Sequence, residues 1–298
     1  MRNMLKCFIG AGCLALALGA APAAAEPALF KVSDKDSTLY LFGTVHALPE
    51  GEAWRTPDFE KAFAGAAEIW FEADVSQASD PAVMAPLQAL FIDPANPLSK
   101  RLSAEEHARF LAAAQKLGLP GPQLDPLRPW AVALQLTAVS LAKAGIKPEQ
   151  GVEAVLTAEL GERKLRTLET VEQQLRFLAG LSPESEKEFL LATLKDIDEG
   201  PAYFERLKAA WASGDVQAME TLFLAELRSE YPETYEALLK RRNLAWVEQL
   251  DAELKGAGVD FVAVGAAHLV GPDSVVGLLK VRGYKVEQVQ PAKERKKK

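Results

Sequence analysis

The chain has 298 residues, of which 49% are hydrophobic, 25% charged and 8% aromatic, a balance that excludes a disordered, collagen-like or disulfide-scaffolded chain. A mean hydropathy of -0.03, with no apolar run near about 18 residues beyond the N-terminus, argues against a membrane-spanning bundle. A formal net charge of -7 argues against a nucleic acid or other polyanion as partner of the body of the protein.

The N-terminus reads as a secretory leader. Arg2 and Lys6 precede an apolar stretch from Cys7 to Ala21, and Ala23-Ala24-Ala25 offers a small-x-small cleavage pattern before Glu26. The expectation is a signal peptide over residues 1–25 and a periplasmic or secreted mature chain with no stable membrane span. That chain would comprise one domain over 26–291 and a basic disordered tail over 292–298. Both cysteines, Cys7 and Cys13, fall inside the leader, so the mature chain has no thiol nucleophile, disulfide or thiolate metal site.

Residues 28–32 and 38–42 flank a polar stretch from Ser33 to Ser37 and predict a hairpin with a five-residue loop. Thr56 as N-cap and Pro57 at the first helical position predict a short helix, and residues 68–75 a buried strand, completing a strand–crossover–strand unit. Helical spacing of apolar residues follows over 104–117, 129–144, 152–160, 184–197, 203–211, 216–227 and 234–254. One strand interrupts them at 164–168, after Gly161 and before the capping-box match Thr170-Val171-Glu172-Gln173. A continuous apolar strand at 259–264, a helix opened by Gly271-Pro272 and a last strand at 284–289 form a second βαβ-like unit. The predicted class is α/β: a mixed central β-sheet flanked by helices, with a large helical insertion, about 77–257, between the N- and C-terminal units.

Two of the three histidines share one setting. His46 ends Gly43-Thr44-Val45-His46 after the first hairpin, and His268 ends Gly265-Ala266-Ala267-His268 after the late apolar strand. With 20 glycines in the chain, two such matches among three histidines arise by chance on the order of 1% of the time. The carboxyl ends of strands form the crevice where α/β sheets bind ligands, and glycine there lets the chain turn and approach closely. Two imidazoles at such a crevice suggest a divalent-metal or acid/base site; the alternative is a pair of hydrogen-bonded turn histidines. His107, in the charged start of the 104–117 helix, reads as a surface residue.

Glu72 and Asp74 alternate with Phe71, Ala73 and Val75 and would face one side of their strand. A carboxylate in an otherwise apolar strand is costly unless paired, so Glu72 is the candidate third ligand or general base, with Asp74 and Glu169 as further candidate metal ligands. Glu169, just before the N-cap Thr170, is stabilised by the helix N-terminal dipole whatever else it does. In the 234–254 helix, Asn243 falls on the buried stripe between Leu239 and Val247, and Arg242 lies over Leu238 and Trp246. Arg242 could orient Glu72 or stabilise an oxyanion, Asn243 could hold a strand-end loop, and a purely structural network is the alternative.

Together these pieces resemble the TraB/PrgY/GumN family, which is related to the Tiki metalloproteases and more distantly to erythromycin esterase-like and ChaN-like proteins. The resemblance rests on Leu41-Phe42-Gly43-Thr44-Val45-His46, Trp70-Phe71-Glu72-Ala73-Asp74, Leu168-Glu169-Thr170 with Gln174, Arg242-Asn243 and Val264-Gly265-Ala266-Ala267-His268-Leu269-Val270-Gly271. A family segment usually written Gly-hydrophobic-Asp reads Gly151-Val152-Glu153 here, and no role is assigned to its longer carboxylate. The resemblance implies a mixed sheet flanked by helices, His46, His268 and Glu72 meeting in one cleft, and, from the Tiki branch, a divalent-metal-dependent peptidase. The leading expectation is therefore an exported metallohydrolase cleaving a peptide or amide bond of a peptide or small-molecule substrate. His46, His268 and Glu72 would hold Zn, Mn or Co. A non-catalytic envelope protein that binds a small ligand, haem or peptide in the same crevice is the alternative.

Overall fold

The computed structural model describes residues 25–289; the signal peptide predicted over 1–25, with Cys7 and Cys13, lies outside the described residues but for Ala25, and so does the basic tail predicted over 292–298. In chain order the elements that position the site are β1 (Leu29–Ser33), β2 (Ser37–Thr44), β3 (Leu48–Pro49), α1 (Pro57–Ala64), β4 (Glu68–Phe71), α2 (Ala104–Leu117), α3 (Pro129–Lys143) and β5 (Ile146–Lys147). There follow α4 (Val152–Ala158), β6 (Lys164–Thr167), α5 (Val171–Ala179), α6 (Pro183–Glu199), α7 (Pro201–Ala212), α8 (Arg241–Leu254), β7 (Gly258–Gly265), α9 (Val275–Val281) and β8 (Lys285–Gln288). Six strands form a mixed sheet in the order β6-β4-β7-β2-β1-β8, and β3 and β5 make a small separate ladder. β6, β4, β7 and β2 run parallel, while β1 is antiparallel to both of its neighbours. The α/β class with a mixed sheet flanked by helices is the architecture the sequence predicts.

Strand alternation sorts the side chains between two cores. On one face Phe42 and Phe261 pack with Phe59 of α1, ring centroids 4.7 and 5.3 Å away. On the other, Leu39, Leu41, Val262 and Val264 meet Trp246, Leu250 and Leu254 of α8 and Leu279 of α9. Thr56 caps α1 by accepting from Phe59 N, with Pro57 at its start, as predicted. A third core joins α2, α3 and α6 within the helical region between β4 and β7. Among the described residues, no helix is long and apolar enough to cross a membrane.

Three boundaries differ from the sequence reading. The first hairpin loop is three residues long, because Asp34 Oδ1 accepts from Asp36 N, Ser37 N and Ser37 Oγ and extends the second strand back to Ser37. The strand predicted over 68–75 ends at Phe71; Asp74 instead caps a 3₁₀ turn, Val75–Ser79, its Oδ1 accepting from Ser76 N at 3.0 Å. A local side-chain acceptor there competes with the ladder. Gly271-Pro272 does not open the late helix, which starts at Val275 under the cap of Ser274.

Candidate functional site

The four parallel strands deliver their following residues to one edge of the sheet. Gly43 pairs with Val264 and Thr44 with Gly265 across β2 and β7, Phe71 of β4 pairs with Ala263, and Phe71 with Thr167 of β6. The two G-x-x-H motifs thus leave the carboxyl ends of adjacent strands, Glu72 leaves the neighbouring one, and Glu169 leaves the next. A crevice at strand carboxyl ends is where open α/β sheets place ligands.

Gly265 sits at the convergence. A Cβ on it would stand 3.0 Å from Glu72 Oε1, 3.6 Å from His46 Nε2 and 3.6 Å from His268 Cδ2. A side chain there would occupy the space the three groups face. Gly43 and Gly151 also serve close approach. A Cβ at residue 43 would meet Ala266 Cα at 3.1 Å, and one at residue 151 would lie 2.1 Å from the His46 carbonyl oxygen. Glycine at 151 therefore lets the start of α4 dock on the His46 segment, where Val152 N donates to Val45 O.

Each imidazole is held through Nδ1. His268 Nδ1 lies 2.5 Å from Asn243 Oδ1, while Asn243 Nδ2 donates to Asp273 O at 2.8 Å, which fixes the amide orientation and makes Nδ1 of His268 the donor. His46 Nδ1 lies 2.9 Å from Glu153 Oε1, which also accepts from Thr44 Oγ1. In neutral His268 the lone pair is then on Nε2, whereas the His46 ring, paired with the Glu153 carboxylate, carries a second proton there. His268 Nε2 is 3.6 Å from Glu72 Oε1, too long for a hydrogen bond and suited to two ligands of one cation.

Glu72 is anchored on its other side. Its Oε1 accepts from Gly265 N at 2.7 Å, and its Oε2 accepts from Arg242 Nη2 at 2.7 Å and Gln174 Nε2 at 3.2 Å. Arg242 is in turn clamped by Glu169, which accepts from its Nε at 3.0 Å, from Trp246 Nε1 at 3.0 Å and from Gln174 Nε2 at 2.9 Å. Trp246 packs on the His268 ring, centroids 4.3 Å apart. Burial opposes the Glu72 charge, but His268, Arg242 and His46 beside it and the Gly265 N–H outweigh it and hold the carboxyl well below the usual range. Burial pushes His268 down, to about 3, keeping it neutral, whereas the Glu153 carboxylate raises His46.

The structure thus brings His46, Glu72, His268, Arg242 and Asn243 together. Glu169 joins them as the anchor of Arg242, and its oxygens are held by Arg242, Trp246 and Gln174. Asp74 is engaged by Ser76 and Gln77 in its local cap. His107 is half-buried on α2, 3.9 Å from Asp125. The sequence reading named three further residues without a role in the site: Glu153, Gln174, which bridges two carboxylates, and Trp246, which donates to one of them. The Gly151 that precedes Glu153 was the available signal.

Arg242 and Asn243 are adjacent in sequence and both buried. The turn before them, Glu236–Lys240, is π-helical, a local widening common at functional sites, and Leu238 O accepts from Arg242 Nη1 at 2.8 Å. A cleft of about 460 Å³ opens on His46, Glu72 and Glu153 and is walled by Ala73, Val75, Ala154 and Gln174. The His46 side chain is 65% exposed at its mouth, against 8% for Glu72 and 5% for His268. Two imidazole Nε2 atoms and an ionised carboxylate form a donor set whose chemistry fits a divalent cation that displaces the Nε2 proton of His46. Among the described residues, no three histidine, aspartate or glutamate side chains are already grouped as a metal site.

The chain is 27% identical over 244 residues to the uncharacterized protein YbaP of Escherichia coli (strain K12), covering 81% of this chain and 87% of that protein. The same figures hold for YbaP of Shigella flexneri. An uncharacterized protein of Treponema pallidum (strain Nichols) is 26% identical over 171 residues, covering 53% of this chain and 51% of its own. The family described as TraB/PrgY/gumN matches residues 28–288, from the first strand of the sheet to the last and across every residue of the cleft, and the chain belongs to that family.

Proposed function

We propose that this protein is an exported, divalent-metal-dependent hydrolase that cleaves a peptide or amide bond in the cleft at the ends of β4, β7 and β2. The observation that carries the reading is the convergence of the two Nε2 atoms, each ring aimed by an Nδ1 hydrogen bond, on the ionised Glu72 around Gly265. Export, to the periplasm or beyond, rests on the composition of the leader.

His46, His268 and Glu72 would hold Zn, Mn or Co; when bound, the ion polarises a carbonyl and lowers the pKa of a water toward ~7. Arg242 takes Glu72 Oε2 and leaves Oε1 facing the cleft. Asn243 and Glu153 keep a proton on Nδ1 of each histidine and orient the rings, the usual task of groups behind a metal ligand. Burial of His268 against Trp246 excludes water from one side, while the exposed His46 leaves the other open to substrate.

The test is hydrolysis of a mixed quenched-fluorescent peptide pool by the mature chain loaded separately with Zn²⁺, Mn²⁺ and Co²⁺. Cleavage with at least one ion is expected. It should be abolished by a chelator, restored by the same ion and lowered about 10²-fold or more in His268→Ala. Cleavage that survives exhaustive chelation overturns metal dependence. Cation binding without turnover of any peptide or amide assigns the cleft to ligand binding.

A further inference from the structure

Away from this cleft, the ends of three helices enclose a second cavity of about 540 Å³. α2 ends at Leu117, α3 at Lys143 and α6 at Glu199, and α7 closes the remaining side with Phe204 and Leu207. The walls are mostly apolar, including Leu117, Leu141 and Ile197. Two carboxylates line it, Asp196 and Glu205, and Lys208 Nζ lies 3.1 Å from Glu205 Oε2.

The formal charges of the lining balance, Lys116 and Lys143 against Asp196 and Glu205, so what matters is which of them is free to meet a ligand. Helix C-termini carry exposed carbonyls and a partial negative charge, and three of them meet here. The two lysines in the lining are already engaged: Lys116 Nζ donates to Ile197 O at 2.9 Å, and Lys143 Nζ to Lys116 O at 3.4 Å. Lys195, beside Asp196 in sequence, reaches Glu226 Oε1 at 2.7 Å. Among the described residues, none donates a hydrogen bond to the Asp196 carboxylate. A partly buried acceptor without a donor in apolar surroundings is costly, and a ligand that brings an ammonium removes that cost.

We propose that this cavity binds a small apolar amine, its ammonium against the Asp196 carboxylate and its hydrocarbon body against Leu117, Leu141, Phe204 and Leu207. The size suits one ligand of drug-like dimensions. Burial, with Glu199 and Glu226 nearby, pushes the Asp196 carboxyl up to about 6, still low enough for it to be mainly ionised above neutrality. An anionic ligand of the same shape would meet that carboxylate and Glu205, and could pair with Lys116 or Lys143 only by drawing it off the carbonyl it now caps.

The test is calorimetric titration of the full mature chain at pH 7.5 with 4-phenylbutylamine, 4-phenylbutan-1-ol and 4-phenylbutyrate, which share a body and differ in the head group. The amine is expected to bind about 10-fold or more tightly than the alcohol, with the carboxylate weakest. Asp196→Asn should bring amine and alcohol within about 2-fold of each other. Asp198→Asn, at an exposed aspartate that pairs with Arg109, should leave the preference intact. A melting curve establishes that each variant is folded. Equal binding of amine and alcohol, tighter binding of the carboxylate, a preference that survives Asp196→Asn, or no binding of any probe would each overturn the proposal.

Discussion

Glu72→Gln is expected to leave the protein folded and to lower turnover by at least ~10²-fold, the scale of losing a charged ligand or general base. The amide is nearly isosteric, but Glu72 accepts on both oxygens, from Gly265 N on one side and from Arg242 and Gln174 on the other. A glutamine can satisfy only one side and turns an NH₂ toward a donor on the other. The stability cost is about 1–3 kcal/mol, limited because Arg242 keeps Glu169. Turnover and cation content are measured beside a melting curve on the one variant. A large fall in melting temperature with normal cation content and normal specific activity would make Glu72 a structural partner of Arg242 alone.

The largest effect on stability is expected at Arg242. It lies buried between two buried carboxylates, Glu72 and Glu169, and Arg242→Met leaves both without their guanidinium, at a cost of about 3–5 kcal/mol near neutral pH. The sign of the pH dependence should also change. In the wild type the depressed Glu72 carboxyl, at about 2, contributes stability present above its unfolded pKa and lost as pH falls through its folded one. In the variant, two close buried carboxylates have raised folded pKa values, so the folded state takes up protons that the unfolded state releases. Its stability should then rise as pH falls from 7 toward about 5. Denaturant unfolding at the two pH values measures this. A deficit of the same size at both would place the energetic weight of Arg242 in packing rather than charge.

Much of this site was legible because its chemistry is carried by short local signals. The repeated G-x-x-H, the carboxylate next to an apolar strand and the two polar residues on the buried stripe of a helix each violate the pattern around them. A folded chain tolerates such violations where function or a satisfied network compensates. The adjacency of β2 and β7 was not legible: residues 37–44 pair with residues 258–265 across most of the chain, and no local pattern encodes a partner that distant. Glu153 was met only as the longer carboxylate of the Gly151-Val152-Glu153 segment and was left without a role. An acid in the first turn of a helix is already accounted for by the helix dipole, and only the docking of α4 at Gly151 brings it to His46 and Thr44. Glu72 itself was found by an argument that half failed. It reaches the cleft because the chain leaves the sheet at Phe71, while Asp74, expected on the same face, turns into a cap. The cavity at Asp196 has no counterpart in the sequence at all, since it is made by three helix ends that come together only in the folded chain.

The central claim is that His46, His268 and Glu72 hold one divalent cation beside Gly265, and calorimetric titration of metal-free residues 26–298 with Zn²⁺, Mn²⁺ and Co²⁺ tests it most directly. One equivalent of at least one ion should bind the wild type. Affinity should fall about 10²-fold or more in His46→Ala plus His268→Ala. Gly265→Ala, which keeps both histidines but puts a methyl 3.0 Å from Glu72 Oε1, should also bind more weakly while melting close to the wild type. Wild-type affinity retained in the double histidine variant, or no binding by the wild type, would contradict the claim.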